Sequence, residues 1–253
     1  MSEHTHVVES QHVPAPMRSV FSEVIARYVF NFRCSPQLAE RELPAPLRPD
    51  LVDGRAVLSF CPYVLRRLRT VRGRSAFGFA TVFAAPRIAA IHRGQRVAWV
   101  PTRFATSRLV ASRAPTHLGT PRFEHIHAQF PKNRRHGRLE IATAETADTF
   151  VAGLAPPAFA NGGSQLFATT ADFVQFFSCD RAWSPAHGRD ERAHVQIDLR
   201  AIGTHYAPLG ISEISWSPRS WANDGTKPIE TEFDSAFIGI GGEYEWSVGS
   251  PIC

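Results

Sequence analysis

Aromatic and β-branched residues crowd Tyr28-Val-Phe-Asn-Phe-Arg-Cys34, which predicts a strand. Ser35-Pro36 follows, a capping residue before a proline suited to the first helical position. It predicts a helix over Pro36 to Leu43 that stops at Pro44-Ala-Pro46. Asp53-Gly54 marks a turn, and Arg55 to Leu65 reads as the next strand. Phe77 to Ile91 holds one or two more, and Arg93-Gly94 predicts a hairpin before Val97 to Val100. Phe104 to Ser112 predicts a short helix with Thr102 as its cap.

Further on, Pro121 to Phe130 and Arg138 to Thr146 predict paired strands joined by the basic loop Pro131 to Gly137. Pro156-Pro157 and Gly162-Gly163 bracket a loop. Thr169-Thr-Ala-Asp172 resembles a capping box, with aspartate in place of glutamate, and predicts a helix through Phe177. The last third returns to strands: Ala193 to Leu199, Leu209 to Trp216, and Glu232 to Ile240 leading into Tyr244-Glu-Trp246. Short strands with few helices predict an α+β or mostly β domain built on a curved sheet or barrel. Residues 1–17 read as a flexible N-terminal tail, and 18–253 as a single domain.

The composition is that of an ordinary globular chain: 43% apolar and 20% charged over 253 residues. Basic residues outnumber acidic ones, 28 to 23. Only Lys132 and Lys227 are lysines, an arginine skew that points to a GC-rich, bacterial coding sequence before it points to function. The polar start, with His4, His6 and His12, lacks the apolar core of a signal peptide. The longest apolar stretch, Ala76 to Ile91, is broken by Pro86 and Arg87, too short for a membrane span of roughly twenty residues. Cys34, Cys61, Cys179 and Cys253 form no paired spacing, so reduced thiols and a cytoplasmic location are expected.

No phosphate loop, G-x-G-x-x-G, H-E-x-x-H or G-x-S-x-G motif is present. His125-Ile-His127 puts two imidazoles on one face of a predicted strand, where both could reach one metal. The spacing Gly119-x5-His125-x-His127 matches the opening of the cupin metal motif, but Pro131 and Lys132 stand where its glutamate belongs. A catalytic metal takes about three protein ligands, so ordinary strand histidines are the plainer reading. Two basic clusters, Arg66 to Arg74 and Lys132 to Arg138, could follow a phosphate backbone. Without interleaved aromatics they read as solvated loops, and nucleic acid is not expected as a partner. Glu230, Glu232 and Asp234 alternate along a predicted strand, and Asp234, before an apolar run, is the one expected to be buried.

Several segments resemble the acetoacetate decarboxylase-like superfamily, and within it an uncharacterised branch, domain of unknown function 2071. They begin with Phe30-Asn-Phe-Arg-Cys-Ser-Pro-Gln-Leu-Ala-Glu-Arg-Glu-Leu-Pro-Ala-Pro-Leu47 and continue with Asp53-Gly-Arg-Ala-Val-Leu-Ser-Phe60. Ser164-Gln-Leu-Phe, Asp172-Phe-Val-Gln-Phe-Phe177, Glu232-Phe-Asp-Ser-Ala-Phe-Ile238 and Tyr244-Glu-Trp246 follow in order. The resemblance implies an α+β domain with a curved, barrel-like antiparallel sheet, a few short helices and an internal pocket. It also implies a reactive lysine for Schiff-base chemistry, yet Arg122 stands in the place of that lysine, followed by Phe123. Arginine stays protonated at working pH and cannot serve as the amine nucleophile. Aligned without gaps from the entry segment, the family's site arginine falls on Ile25, with Arg27 near, and its pocket glutamate near Thr81 or Val82, neither an acid.

The expectation is a bacterial protein with a pocket for a small organic carboxylate or carbonyl compound, without Schiff-base chemistry. Arg122, Arg27 and Glu124 are the candidate ligand-binding residues, and no cofactor is implied. Whether the ligand is turned over stays open. One alternative is a metal-dependent β-barrel enzyme using His125 and His127; another is a non-catalytic binding or regulatory domain. No membrane partner is expected, and a homodimer is an open assembly.

Overall fold

The computed structural model describes residues 19–69, 79–118, 123–143, 149–177, 181–186, 194–216 and 230–248. Arg122, Cys179, Lys227, Cys253 and the tail expected over 1–17 lie outside these residues.

The chain opens with the 16-residue strand β1 (Ser19–Cys34). Ser35 then caps α1 (Pro36–Glu42), its hydroxyl accepting from the Leu38 N–H at 3.3 Å. Two short strands, β2 (Arg48–Pro49) and β3 (Leu51–Val52), lead to the long strands β4 (Arg55–Arg69) and β5 (Phe79–His92). The β3–β4 turn carries Asp53 and Gly54 at φ 47° and 75°. Arg93 and Gly94, at 49° and 77°, turn β5 into β6 (Gln95–Trp99). Positive φ at both central residues is the hairpin geometry that matches strand twist.

After β6 the chain departs from expectation. Arg103–Ala105 forms a strand, β7, and α2 (Arg108–Leu118) starts later, with Ala111 N–H bonding the Ser107 carbonyl at 2.8 Å. Ser107 therefore opens the helix, not Thr102. Pairing with β5 on one side and β8 (Phe123–Gln129) on the other overrides the local helical pattern. Next come β9 (Gly137–Thr143) and β10 (Thr149–Ala155), then α3 (Thr170–Phe177). The capping box at α3 is reciprocal: Asp172 N–H donates to Thr169 Oγ1 at 3.1 Å and Thr169 N–H to Asp172 Oδ2 at 2.8 Å. The chain ends in β11 (Arg181–Pro185), β12 (His194–Ile202), β13 (His205–Trp216), β14 (Glu232–Ile240) and β15 (Glu243–Val248).

The pairings close two circuits that share β1, β4 and β5. One runs β1–β4–β5–β7–β8–β9–β10–β13–β14 and back to β1. The other runs β1–β4–β5–β6–β11–β12–β15 and back to β1. The result is a curved, barrel-like, mostly antiparallel sheet with few short helices. Because side chains alternate along a strand, the shared strands feed two cores. Tyr28, Phe30, Leu58 and Phe60 pack with Phe150, Leu154 and Ile238 in the first. Val29, Val57, Cys61 and Tyr63 pack with Phe173 and Phe177 of α3, Phe237 and Tyr244 in the second.

A register shift opposite Asn31 and Phe32 leaves Asp234 as the extra residue of a β-bulge. Glu232 stays exposed while Asp234 turns inward. Asp234 accepts from Ser164 Oγ at 2.5 Å, Gln165 N–H at 2.9 Å and Leu166 N–H at 3.2 Å. The expected burial of Asp234 thus serves to pin a loop to β14.

Candidate functional site

One register row crosses the sheet through the second core. Tyr206 on β13 faces Gly239 on β14, and Gly239 faces Arg27 on β1. Arg27 faces Tyr63 on β4, Tyr63 faces Phe83 on β5, and Phe83 faces Ala105 on β7. Alternation along β1 brings Arg27 to the face of Val29, so a cation sits among apolar and aromatic neighbours.

Arg27 is only 4% exposed. Its Nη1 donates to the Tyr206 hydroxyl at 2.9 Å and to the Tyr244 hydroxyl at 3.4 Å. The guanidinium carbon lies 4.7 Å from the Tyr63 ring centroid, 4.4 Å from Phe177 and 5.8 Å from Tyr244. Nε and Nη2 of Arg27 are buried without a hydrogen-bond partner. Among the described residues no carboxylate forms an ion pair with Arg27. A buried cation costs several kcal/mol unless it is paired and fully hydrogen-bonded. The aromatic faces offset about 0.5–2 kcal/mol each at best.

The phenols around Arg27 are tuned unequally. Burial pushes Tyr206 well above the usual phenol range, although Arg27 pulls the other way. Burial also acts on Tyr244, but there Arg27 and hydrogen bonds from Thr204 and Tyr206 outweigh it, and its pKa is held down. Burial raises Tyr63 to about 12.

Beside this cluster lies a cavity of about 60 Å³. A water claims at least about 10–15 Å³ in such a volume, so there is room for a few waters or a small organic molecule. Its polar lining is Tyr63, Arg87 and Arg103; Phe83, Leu199 and Trp246 are among its apolar walls. Arg87 on β5 lies 4.4 Å from the Phe177 centroid, so Phe177 contacts both Arg27 and Arg87. Arg103 Nη1 donates to the buried Ser184 hydroxyl at 2.6 Å. Burial pulls Arg103 down to about 10; the Tyr63 phenol counters this, and the Arg87 cation adds to it. No acidic residue and no lysine is among the described residues that line the cavity.

Of the residues singled out in the sequence, Arg27 stands at the centre of the buried cluster. Glu124 is buried on β8, opposite Phe104, and does not line the cavity. His125 and His127 do share a face, with ring centroids 5.1 Å apart. His125 Nε2 lies 3.1 Å from the Thr106 carbonyl oxygen. Among the described residues no group of three histidine, cysteine or acidic side chains is placed to hold a metal. The two basic clusters meet at the surface, where Arg66 and Arg134 border one recess together with Glu23 and Glu243. Arg66 and Arg67 both pair with Glu23, so acids are interspersed there. Cys34 and Cys61 are buried and form no disulfide. Among the described residues no helix is long and apolar enough to cross a membrane.

Sequence reasoning did not pick out Arg87, Arg103, Tyr63, Tyr206, Tyr244 or Phe177 as site residues. Arg87 left a signal: it is the one charge in the apolar stretch Ala76 to Ile91. Tyr206 and Tyr244 left none, since each looks like an ordinary strand aromatic.

Neither a family model nor a curated protein matches the chain. Solved structures do. An acetoacetate decarboxylase from Legionella pneumophila superposes with a TM-score of 0.61 at 11% identity, over 95% of this chain and 94% of that one. An acetoacetate decarboxylase-like enzyme from Sphingomonas wittichii gives 0.56 at 16% identity, over 96% and 97%. The enduracididine biosynthesis enzyme MppR, complexed with pyruvate, gives 0.56 at 13% identity, over 95% and 91%.

Proposed function

We propose that this chain, whose fold is that of the acetoacetate decarboxylase-like proteins, binds a small organic carboxylate or carbonyl compound in the cavity beside Arg27, without Schiff-base chemistry. The observation that carries the reading is a small cavity lined by Arg87, Arg103 and Tyr63, with no acid or lysine in its described lining. A carboxylate there would accept charge-assisted hydrogen bonds from Arg103. The apolar walls would take the carbon skeleton. Arg27 shares Tyr63 with the cavity and adds its charge to the local field from behind that ring. Arg122 is proposed as a further anchor for the ligand's acid group.

Schiff-base chemistry needs an amine nucleophile with a depressed pKa. The chain has two lysines, and the one in a described segment, Lys132, is exposed in the loop between β8 and β9. The fold is therefore read as carried over without the covalent step.

A thermal-shift series on the full chain tests the binding, using pyruvate, acetoacetate, simple carboxylates and divalent metals. A ligand of the folded state must raise its stability. Organic acids are expected to raise the melting temperature, and failure of all of them would overturn the reading. Borohydride reduction with pyruvate is expected to leave the protein mass unchanged; an adduct on Lys132 or Lys227 would restore the lysine mechanism.

A further inference from the structure

We propose that Tyr244 supplies the counter-charge of Arg27: its hydroxyl gives up its proton on mild alkalinisation, and the buried guanidinium–phenolate pair that forms withdraws positive charge from beside the cavity. The effect on the cavity rests on the organic-acid reading above; the ion pair itself does not. Arg27 is 4% exposed and Tyr244 1%. Among the described residues no carboxylate forms an ion pair with Arg27. Three groups converge on the Tyr244 oxygen: Arg27 Nη1 at 3.4 Å, the Tyr206 hydroxyl at 3.4 Å and Thr204 Oγ1 at 3.3 Å. Arginine can only donate. The Tyr206 oxygen already accepts from Nη1 at 2.9 Å, so its proton is free to turn to Tyr244. A neutral Tyr244 has to spend its own proton on one of these neighbours, whereas a phenolate accepts from all three. The phenolate also balances a cation whose Nε and Nη2 have no hydrogen-bond partner. One ionisation serves the cluster, because a second phenolate 3.4 Å away would meet like charge.

The other groups facing Tyr244 do not supply that charge. Glu243 and Glu245 alternate to the opposite face of β15. Its register neighbours on β1 and β12 are Ser22 and Ala201. Cys61 and Tyr63 of β4 and Phe177 of α3 pack in the same core. Arg87 on β5 and Arg103 on β7 each act on Tyr63. The four tyrosines of the chain then part company. Burial pushes Tyr28 and Tyr63 up to about 12, and Tyr206 well above the usual phenol range. Burial opposes ionisation of Tyr244 too, but Arg27, Thr204 and Tyr206 outweigh it, so Tyr244 ionises first. Its proton leaves to solvent. Thr204 Oγ1 lies on the way out, 3.1 Å from the Gly241 carbonyl, which borders the surface recess beside Glu23 and Glu243.

The cavity senses the change through Tyr63. That ring lines the cavity and lies 4.7 Å from the Arg27 guanidinium carbon. While Tyr244 is neutral, the charge of Arg27 attracts an anion held by Arg103. Once Tyr244 is ionised, the two charges cancel at that range. Binding of an acid therefore weakens as pH rises, before Arg103 itself is affected.

Phenolate absorbance of the full chain, followed from neutral to alkaline pH, tests the pair. One phenol of the four should ionise below about pH 10 with the far-ultraviolet dichroism unchanged. Tyr244→Phe should abolish that step. Arg27→Met should move it to higher pH, and so should Tyr206→Phe, which removes one donor. If all four tyrosines ionise together on unfolding, or the early step survives in Tyr244→Phe, the pair is wrong. Should Tyr244→Phe fail to fold, an early step that stays in place in Arg27→Met overturns it. Calorimetric titration with propionate tests the effect on the cavity. Between about pH 7 and about pH 9 the affinity should fall about tenfold further in the wild type than in Tyr244→Phe, the effect of one nearby charge cancelled. Arg103, pulled down by burial to about 10, loses charge in both proteins alike. Equal losses would overturn the effect on the cavity and leave the ion pair standing. If propionate binds neither protein, the organic-acid reading falls, and the absorbance titration still decides the pair.

Discussion

Tyr206 rests its ring on the bare Cα of Gly239, and from there its hydroxyl reaches Arg27 across β14. A Cβ on Gly239 would stand 2.7 Å from Tyr206 Cε1 and 2.8 Å from Thr204 Cγ2. Real side chains do not approach so closely. The glycine is needed here for its lack of bulk, since it lets an aromatic ring cross the strand at the row that carries the buried cation.

Gly239→Ala is therefore expected to push Tyr206 off the row and destabilise the protein by about 1–3 kcal/mol, the usual cost of overpacking. Urea denaturation measures it. In a Tyr206→Ala background the same alanine should cost less, because the clash with the ring is gone while that with Thr204 remains. Equal cost in both backgrounds would show that the two residues do not interact.

Arg27→Met should leave stability within about 1 kcal/mol of wild type or raise it, since replacing a poorly satisfied buried charge with an apolar residue is often neutral or favourable. Nε and Nη2 of Arg27 have no partner to lose. The thermal shift produced by organic acids should shrink. A large fall in stability would instead mark Arg27 as a purely structural arginine.

Alkaline solution should unfold the protein earlier than its ordinary phenols would suggest. Burial raises the Cys34 thiol from 9.0 to about 12 and the Tyr63 phenol from 10.0 to about 12. In both groups the folded state favours the protonated form. Their contribution is complete below the unfolded pKa and is lost as pH rises from there towards the folded value. The urea midpoint should hold to about pH 9 and then decline through pH 12. Cys34→Ala should flatten the first part of that decline and Tyr63→Phe the later part.

Asp234→Asn should cost about 1.5–3 kcal/mol, the range for hydrogen bonds to a charged group. It removes a carboxylate that receives Ser164 Oγ and two backbone N–H groups. Amide exchange at Gln165 and Leu166 should speed up more than exchange on β14. Uniform acceleration throughout the protein would argue against a local anchor.

Much of the fold was legible because its signals are local. Ser35-Pro36, Thr169 with Asp172, and the Asp53-Gly54 and Arg93-Gly94 turns all act where they stand in the chain. Strands β10 and β11 escaped notice because burial hides alternation: Phe150, Val151 and Ala152 are all buried, so no polar face shows. β7 was lost to a helical pattern for a related reason, since only its two distant partners make Arg103–Ala105 a strand. The burial of Asp234 was legible from the apolar run that follows it, but the bulge that sends Glu232 out and Asp234 in left no sequence signal. Arg27 was found through resemblance. Its neighbours Tyr206 and Tyr244 lie 179 and 217 positions away, a proximity created by strand register alone.

That distance also sets an order of assembly. β1 finds its antiparallel neighbours at both ends of the molecule's history: β4 early, β14 and β15 about two hundred residues later. While the chain emerges from a ribosome, one hydrogen-bonding edge of β1 has to wait for strands not yet made. Pairings of such long sequence separation carry loop-closure entropy and slow the search for the native state. Until β14 and β15 arrive, that edge exposes unpaired N–H and C=O groups, a template for aggregation. Nascent chains truncated before Glu232 should therefore need a chaperone to stay in solution.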